Sequence, residues 1–357
     1  MPIDSIHGRG ATRNDVSGRF NMLGREMDGD WLDAMNEIDG TPPPRRTTVT
    51  VERAKSILTR NQSPDIGFDR SVNPYRGCEH GCIYCFARPT HAYHDLSPGV
   101  DFESRLFVKP DAAQLLDEAL SKKGYEPAPI ALGTNTDPYQ PIEKDWEVTR
   151  SVLALLLERK HPFTITTKSD RVLRDLDIIA PAAKLGLAAV AISVTSLDPK
   201  VHRTLEPRAP APRKRVEAIK ALSEADVPTH LSISPVVPHI TDMEMEAILE
   251  AGADAGARGA FFLPVRLPHE VAPLFKAWLE THYPDRAGKV MATIRDLRGG
   301  RDNDPRFYSR LRGEGVWAQL YRTRFEKAAR AHGLARSKFR LRTDLFTPRQ
   351  GAQLRLL

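Results

Sequence analysis

The chain has 357 residues, of which 41% are hydrophobic and 27% charged, a composition that suits a globular protein with a sizeable core. No run of 18 or more apolar residues occurs and residues 1–20 lack an apolar stretch, so we expect no transmembrane helix, no signal peptide and a cytoplasmic protein. The net charge of +6 is concentrated toward the C-terminus, because Arg295 to Arg342 include 14 Lys or Arg against 5 Asp or Glu.

Residues 1–60 show no sustained apolar period and contain two distinctive strings, Gly8-Arg9-Gly10 and Pro42-Pro43-Pro44. We predict an N-terminal arm and a Pro-rich, semi-rigid linker, partly disordered or wrapped over the core. A partial-barrel core over residues 61–290 and a basic extension over residues 291–357 complete the predicted domain organisation.

From about residue 70, short apolar or β-branched runs alternate with helical periods. The predicted strands comprise one leading into Gly77, then Ile130–Gly133, Phe163–Thr167, Ala188–Val194, His230–Ser234 and Ala260–Pro264. The predicted helices are Asp111–Lys122, Asp145–Arg159, Arg213–Ala225, Asp242–Ala251 and Val271–Leu279. About six strand–helix units fit, fewer than the eight of a closed barrel. The pattern therefore predicts an α/β fold, a partial (β/α)6 barrel whose site lies at the C-terminal ends of the strands.

All three cysteines lie within eight residues, as Cys78, Cys82 and Cys85 in C-x3-C-x2-C spacing. This cluster argues against a disulfide framework, and thiolate sulfur is a soft ligand for iron–sulfur clusters and zinc. Three closely spaced thiolates can bind one face of a cubane and leave the fourth iron open to a substrate or cofactor. Gly77 and Gly81 would let the backbone approach such a cluster.

Zinc is the alternative metal that the three cysteines could bind. His80, His91 or His94 could complete a Cys3His site, although no second C-x2-C or H-x3–5-H pair follows. The alternative function is then a zinc-stabilised nucleic-acid-binding module without redox chemistry.

The cysteine spacing, with Tyr84 before the third Cys, resembles the radical S-adenosylmethionine (SAM) superfamily. The resemblance implies a [4Fe–4S] cluster on the three cysteines and SAM on the fourth iron. It also implies reductive cleavage of SAM to a 5′-deoxyadenosyl radical that abstracts hydrogen from a substrate. The string GTNTDPYQPIE, which begins at Gly133, resembles the spore photoproduct lyase-like branch. That lyase's hydrogen relay implies a further Cys, which this chain lacks, so we expect a sister group with a different reaction.

The resemblance also implies SAM-binding residues at the strand ends. Gly133, Thr134 and Asn135 would offer oxygen acceptors to the methionyl amine, unless they form an ordinary strand-to-turn cap. Lys168 would contact the carboxylate or ribose of SAM, or be a solvated strand-end charge. Ser193 would contact the ribose, or bond backbone inside the barrel.

Four further residues follow from the resemblance. Arg208 is the candidate for a bidentate clamp on the SAM carboxylate, against the alternative of a surface pair with Glu206. The rings of Tyr84 and Phe86 would cover the adenine or the cluster. Tyr139 is the candidate catalytic residue at the substrate cavity, and a loop anchor is its alternative.

Two partners are expected. Reduction of a cluster implies a low-potential electron donor of the flavodoxin or ferredoxin type. The basic stretch from Arg295 to Arg342 includes aromatic residues such as Phe307 and Tyr308 among its arginines, which favours nucleic acid. A solvated helical surface is the competing interpretation of those charges, and no membrane partner is expected.

Overall fold

The structure, a computed structural model, describes residues 8–15, 17–19, 46–334 and 340–349. The predicted Pro42-Pro43-Pro44 linker lies outside the described residues, as do residues 335–339 and 350–357 of the predicted basic extension. None of the helices in the described ranges combines the length and the apolar character needed to cross a bilayer.

The strands of the described residues form two sheets. They are β1 (Thr48–Val51), β2 (Leu58–Arg60), β3 (Arg70–Val72), β4 (Tyr75–Arg76), β5 (Arg105–Val108), β6 (Ile130–Leu132), β7 (Phe163–Thr167), β8 (Ala188–Ser193), β9 (Thr229–Val236) and β10 (Gly259–Pro264).

The α-helices cover the sheet and continue into the C-terminal part. They are α1 (Val100–Ser104), α2 (Ala112–Leu120), α3 (Glu143–Trp146), α4 (Val148–Glu158), α5 (Leu176–Lys184), α6 (Pro199–Leu205), α7 (Pro212–Glu224), α8 (Met245–Asp254), α9 (Val271–His282), α10 (Pro284–Leu297), α11 (Ser309–Arg312) and α12 (Gly315–Ala331). Short 3-10 helices span Arg88–His94, Asp170–Asp175 and Asp242–Glu244.

The larger sheet has the order β10-β9-β8-β7-β6-β3-β2. Strands β3 and β6 to β10 run parallel in chain order, and β2 pairs antiparallel with β3 at one edge. Six parallel strands with intervening helices are the predicted partial (β/α)6 barrel, and the prediction is confirmed. A smaller sheet of order β1-β5-β4 lies outside this series.

One predicted helix is divided in the structure. The period over Asp145–Arg159 corresponds to α3 and α4, which are separated at Glu147 with a positive φ of 48°. The cause is Glu143, whose buried carboxylate accepts hydrogen bonds from the backbone N–H groups of Thr149 (3.0 Å) and Arg150 (3.3 Å). These N–H groups belong to the first turn of α4 and have no partner within the helix, so an external acceptor starts a new helix there.

The C-terminal part is joined to the barrel rather than appended to it. The predicted boundary at residue 290 falls inside α10. Arg298, 1% exposed, donates to the carbonyl of Val265 after β10 (2.7 Å) and to that of Arg310 in α11 (2.8 Å). Arg310 in turn makes two hydrogen bonds, of 2.8 and 2.6 Å, with the carboxylate of Asp65 between β2 and β3. The segment therefore connects the two opposite edges of the open sheet.

Candidate functional site

The three cysteines lie in one loop, the cysteine loop (residues 77–88), which follows β4. Cys78 and Cys82 are each 7% exposed and Cys85 is half-buried, and all three are free thiols. The backbone N–H of Cys78 donates to the carbonyl of Phe102 (3.0 Å), and that of Ile83 donates to the carbonyl of Leu205 (3.1 Å). These bonds fix the loop to α1 on one side and to α6, after β8, on the other.

The segment after β6 holds the first part of the cysteine loop. The Thr136 hydroxyl (2.8 Å) and the Gln140 amide (3.2 Å) both donate to the carbonyl of Gly77. The side-chain oxygen of Gln140 accepts from the backbone N–H of Glu79 at 3.0 Å. The GTNTDPYQPIE string thus supports the backbone around the first cysteine, which explains why these polar residues occur together in one strand-to-loop segment.

Asp137, in the same string, connects three segments of the site. Its carboxylate accepts from the Thr167 hydroxyl (2.6 Å) and the backbone N–H of Lys168 (2.8 Å), and lies 3.4 Å from Nδ1 of His80. Burial alone would raise the pKa of Asp137, but His80 and these hydrogen bonds outweigh it and lower the pKa to about 2. An ionised Asp137 therefore joins the ends of β6 and β7 to the cysteine loop.

A second buried carboxylate, Glu206, lies beneath the cysteine loop and is 2% exposed. It accepts hydrogen bonds from the hydroxyls of Tyr84 and Thr195 (2.7 Å for Thr195) and pairs with Arg215 at 2.5 Å. Burial opposes its charge, yet Arg215 and the other partners hold its pKa well below the usual range. Sequence reasoning assigned Glu206 no central role, because its partners come from three separate segments.

Lys168, at the end of β7, belongs to the same group. Its Nζ lies 5.7 Å from the centre of the Tyr84 ring, a cation–π distance. Burial works against its charge, but the negative charge of Glu206, and of Cys82 when ionised, raises its pKa. Arg215 also donates to the backbone carbonyl of Ser193 at 3.1 Å. The predicted residues Tyr84, Lys168 and Ser193 are thus linked around Glu206.

The end of β6 is fixed by a residue from the loop after β3. The side chain of Asn73 donates to the Thr134 hydroxyl (3.1 Å) and accepts from the backbone N–H of Asn135 (3.0 Å). Gly133 has a φ of 87°, and a Cβ there would lie 2.0 Å from the carbonyl oxygen of Thr166 on β7. The three predicted residues therefore form a tight strand end, and their contact with SAM stays a prediction.

Arg208 pairs with a residue of the cysteine loop. Its guanidinium donates to Glu79 at 3.1 Å, and it lines a cavity of about 280 Å³ with His80 and Lys214. The alternative of a surface pair with Glu206 is wrong, because Glu206 is buried against Arg215. The clamp on the SAM carboxylate stays a prediction.

The two remaining rings lie in different surroundings. Phe86 is 52% exposed, and its proposed covering role stays a prediction. Tyr139 is fully buried in the main core, and its hydroxyl donates to Asp175 at 3.0 Å. These are the contacts of the loop-anchor alternative, and the catalytic role of Tyr139 stays a prediction.

The histidines near the loop have other partners than the thiols. Nε2 of His91 lies 2.8 Å from the carbonyl of Arg105, and burial lowers its pKa to about 4. His94 packs on Phe107 with ring centres 4.6 Å apart, and His80 faces Asp137. Within the described ranges, no three His, Cys, Asp or Glu side chains converge on the position of a single metal ion.

The thiols fit a group that carries iron. Burial raises the pKa of Cys78 well above its usual range, that of Cys82 to about 12, and that of Cys85. The thiolate is the form that binds metal, and burial disfavours it unless a cationic centre compensates. Three thiols in one anchored loop, two of them buried and one half-buried, are such a donor set.

Many charges of the basic C-terminal stretch are paired within the protein. Arg306 binds Asp304 and Glu314, Arg310 binds Asp65, and Arg324 binds Glu246. Fewer of the basic side chains in this stretch are therefore available to an external partner than the sequence count of Lys and Arg indicates.

Comparison with known proteins supports the assignment of the fold. A model of the Radical SAM superfamily matches residues 72–252, just over half of the chain. An uncharacterized protein of Mycobacterium tuberculosis is 37% identical over 230 residues, which cover 64% of this chain and 68% of that protein. An uncharacterized protein of Methanocaldococcus jannaschii is 29% identical over 233 residues, 65% of this chain and 83% of that one. A solved structure of a spore photoproduct lyase point mutant has a TM-score of 0.56 at 15% identity over 80% of both chains, which confirms the predicted lyase-like fold.

Proposed function

Because this chain belongs to the radical SAM superfamily, we propose that it is an enzyme that binds a [4Fe–4S] cluster through Cys78, Cys82 and Cys85. The observation that carries this proposal is the set of three thiols, two buried and one half-buried and none in a disulfide, in one loop at the C-terminal ends of the parallel strands. The substrate is a molecule that gives up a hydrogen atom, and nucleic acid is the class that we propose for it below.

When bound, the cluster would supply the electron that cleaves SAM into methionine and a 5′-deoxyadenosyl radical, which takes a hydrogen atom from the substrate. The protein's own part is to hold the cysteine loop, to orient the bound groups and to exclude water from the site. The Gly77 carbonyl contacts with Thr136 and Gln140 hold the loop at its first cysteine. The thiols of Cys78 and Cys82 are nearly shielded from solvent, which lowers the local dielectric constant and strengthens charge interactions there.

The SAM side of the proposal rests on the group around Glu206. Lys168 is a cation at the end of β7, held beside Tyr84, and it suits a carboxylate or a ribose hydroxyl. Glu206 fixes the Tyr84 hydroxyl and, by its charge, keeps Lys168 protonated. The strand end at Thr134 and Asn135 would offer oxygen atoms to the methionyl ammonium.

The first experiment measures the metal. Protein reconstituted anaerobically should hold about four irons per chain, as a cubane requires. Single Cys→Ser variants at positions 78, 82 and 85 should lose the iron and keep the far-UV circular dichroism of the barrel. Zinc bound at one ion per chain, with no iron taken up under reducing conditions, would instead establish the zinc module.

The second experiment measures SAM cleavage. After anaerobic reduction with dithionite, the loaded protein should convert SAM to 5′-deoxyadenosine, detected by mass spectrometry. Lys168→Met should raise the Kd for SAM while the iron content stays at the wild-type value. Normal SAM affinity in this variant would remove Lys168 from the site, and the absence of 5′-deoxyadenosine in the iron-loaded wild type would contradict the proposed activity.

We further propose that the substrate is nucleic acid bound at the exposed aromatic and cationic residues near α11. Phe307 and Tyr308 are 52% and 51% exposed, and the guanidinium groups of Arg310 and Arg312 lie 4.8 and 5.9 Å from their respective ring centres. Exposed rings beside cations can stack on bases while an exposed cation such as Arg312 contacts phosphates, whereas Arg310 is paired with Asp65.

Salt dependence tests this partner. Binding to single-stranded nucleic acid should weaken with a log–log slope of about −0.7 per neutralised phosphate. Arg312→Glu should flatten the slope, whereas Arg330→Glu on the exposed face of α12 is the matched charge control. Equal slopes in both variants would exclude the α11 surface. The low-potential electron donor stays a prediction, tested by replacing dithionite with reduced flavodoxin or ferredoxin.

A further inference from the structure

Residues 8–15, the described beginning of the N-terminal arm, lie directly on the cysteine loop. Gly10 and Ala11 are buried, and Ala11 packs in the same apolar cluster as Cys82, Ile83 and Tyr84. The arm is therefore in contact with the residues on both sides of the second cysteine.

The arm is held by one buried carboxylate, Glu103 in α1, which is fully enclosed. Three consecutive backbone N–H groups donate to it, from Arg9 (2.6 Å), Gly10 (2.9 Å) and Ala11 (2.8 Å). Successive N–H groups that converge in this way form a nest, which suits an anion. The Arg9 side chain adds bonds to the Glu103 carbonyl and, at 2.5 Å, to the Thr47 hydroxyl.

Glu103 also connects the arm to the backbone of the cysteine loop. It pairs with Arg88, which is fully buried. The Arg88 guanidinium donates to the carbonyls of Cys82 (3.0 Å) and Gly81 (3.1 Å). One side of this carboxylate thus holds the arm, and the other holds the cation that fixes the loop at its second cysteine.

The fit between arm and loop leaves no space for another atom. A Cβ on Gly10 would lie 1.9 Å from the carbonyl oxygen of Gly81. Arg13 lies further along the arm, and a Cβ on Gly99, which directly precedes α1, would lie 2.1 Å from its carbonyl oxygen. A Cβ on Gly18, in contrast, would meet nothing within 4 Å.

We propose that residues 8–15 are part of the cluster site: they cover the Gly81–Cys82 side of the cysteine loop and, through Glu103 and Arg88, position it for the cluster. This inference rests on the proposed function, because it concerns the same cluster. The arm acts through the loop and so is a positioning element, which bears on how long the cluster is retained and at what potential it is reduced.

Gly10→Ala tests the proposal, with Gly18→Ala as the matched control in the same arm. Hydrogen exchange should show the amides of residues 9–11 protected in the wild type and in the control, and unprotected in Gly10→Ala. Outer partners of metal ligands change metal affinity by roughly 10–100-fold, so we expect the cluster of Gly10→Ala to be lost to a chelator about tenfold faster. The reduction potential of the cluster, followed by EPR, should shift as well, which a purely stabilising role of the arm would not cause.

Gly99→Ala displaces the arm at a second point and gives the answer if Gly10→Ala does not fold. The proposal is overturned if the amides of residues 9–11 exchange freely in either variant while the rate of cluster loss to the chelator and the reduction potential of the cluster remain those of the wild type. A wild-type protein that never takes up iron would instead contradict the proposed function, so the two failures are distinct.

Discussion

Replacing Glu206 by Gln should strongly destabilise the protein although the side chain keeps its shape. The substitution leaves Arg215, 1% exposed, without its ion-pair partner at 2.5 Å. Removing one member of a buried ion pair costs about 3–5 kcal/mol, because an uncompensated charge remains in the interior. That amount is a large part of the roughly 5–15 kcal/mol by which a domain is stable.

The assay is urea unfolding of the metal-free protein, followed by circular dichroism. Glu217→Gln is the matched control, because its carboxylate pairs with Arg213 at 3.2 Å on the surface, with the two side chains 59% and 86% exposed. An exposed pair contributes about 0–1 kcal/mol, so the control should unfold nearly as the wild type does. Arg215→Met should cost at least about 1 kcal/mol less in the Glu206→Gln background than alone, since partners in one network are coupled. A loss no larger than that of the control would refute the buried-pair reasoning.

Three further predictions concern other parts of the barrel. His161 is fully buried, and burial lowers its pKa to about 4. Below the ordinary histidine pKa of about 6.5 the unfolded state therefore binds more protons than the folded state. The free energy of unfolding should consequently fall by about 3 kcal/mol between pH 7 and pH 4. His161→Gln should remove that part of the pH dependence in denaturation curves, and an unchanged slope would contradict it. Gly133→Ala, which places a Cβ 2.0 Å from the Thr166 carbonyl oxygen, should raise the Kd for SAM in calorimetry without loss of iron, and unchanged SAM affinity would show that the strand end is not used. If Tyr139 is a loop anchor, Tyr139→Phe should cost about 1 kcal/mol through its lost bond to Asp175 and leave 5′-deoxyadenosine formation unchanged, whereas abolished formation would support its catalytic role.

The sequence was sufficient to predict five of the six parallel strands, β6 to β10, because each is a short apolar or β-branched run with its own local signal. The first parallel strand, β3, has a single apolar residue in Arg70–Val72, and the strand that leads into Gly77 is β4 of the smaller sheet. The cysteine loop was also predictable, since three thiols at fixed spacing are rare and chemically specific. The roles of two buried carboxylates, Glu206 and Glu103, were not predictable. Glu206 and Glu103 resemble any other glutamate in the sequence, and their burial depends on Arg215, Arg88 and the arm, which come from distant segments.

Side-chain direction set a second limit on prediction. The Tyr139 ring was placed in the correct loop, but nothing local indicates that it turns into the core rather than toward the cavity. Arg208 was likewise placed after β8, yet its partner is Glu79, 129 positions earlier in the chain. Pairings of this kind are decided by the packing of the loops after β3 and β8, which a single sequence does not specify.

The contact between Asp65 and Arg310 also constrains how the protein can be made. The two residues are 245 positions apart, so the carboxylate leaves the ribosome long before its guanidinium partner is synthesised. Until then the sheet has two unjoined edges, one at β2 and one at β10, and unpaired edges favour association between chains. Contacts of such long separation in sequence also slow folding. The C-terminal residues, which determine when the open side is closed, therefore set the period during which both edges of a nascent chain are unjoined.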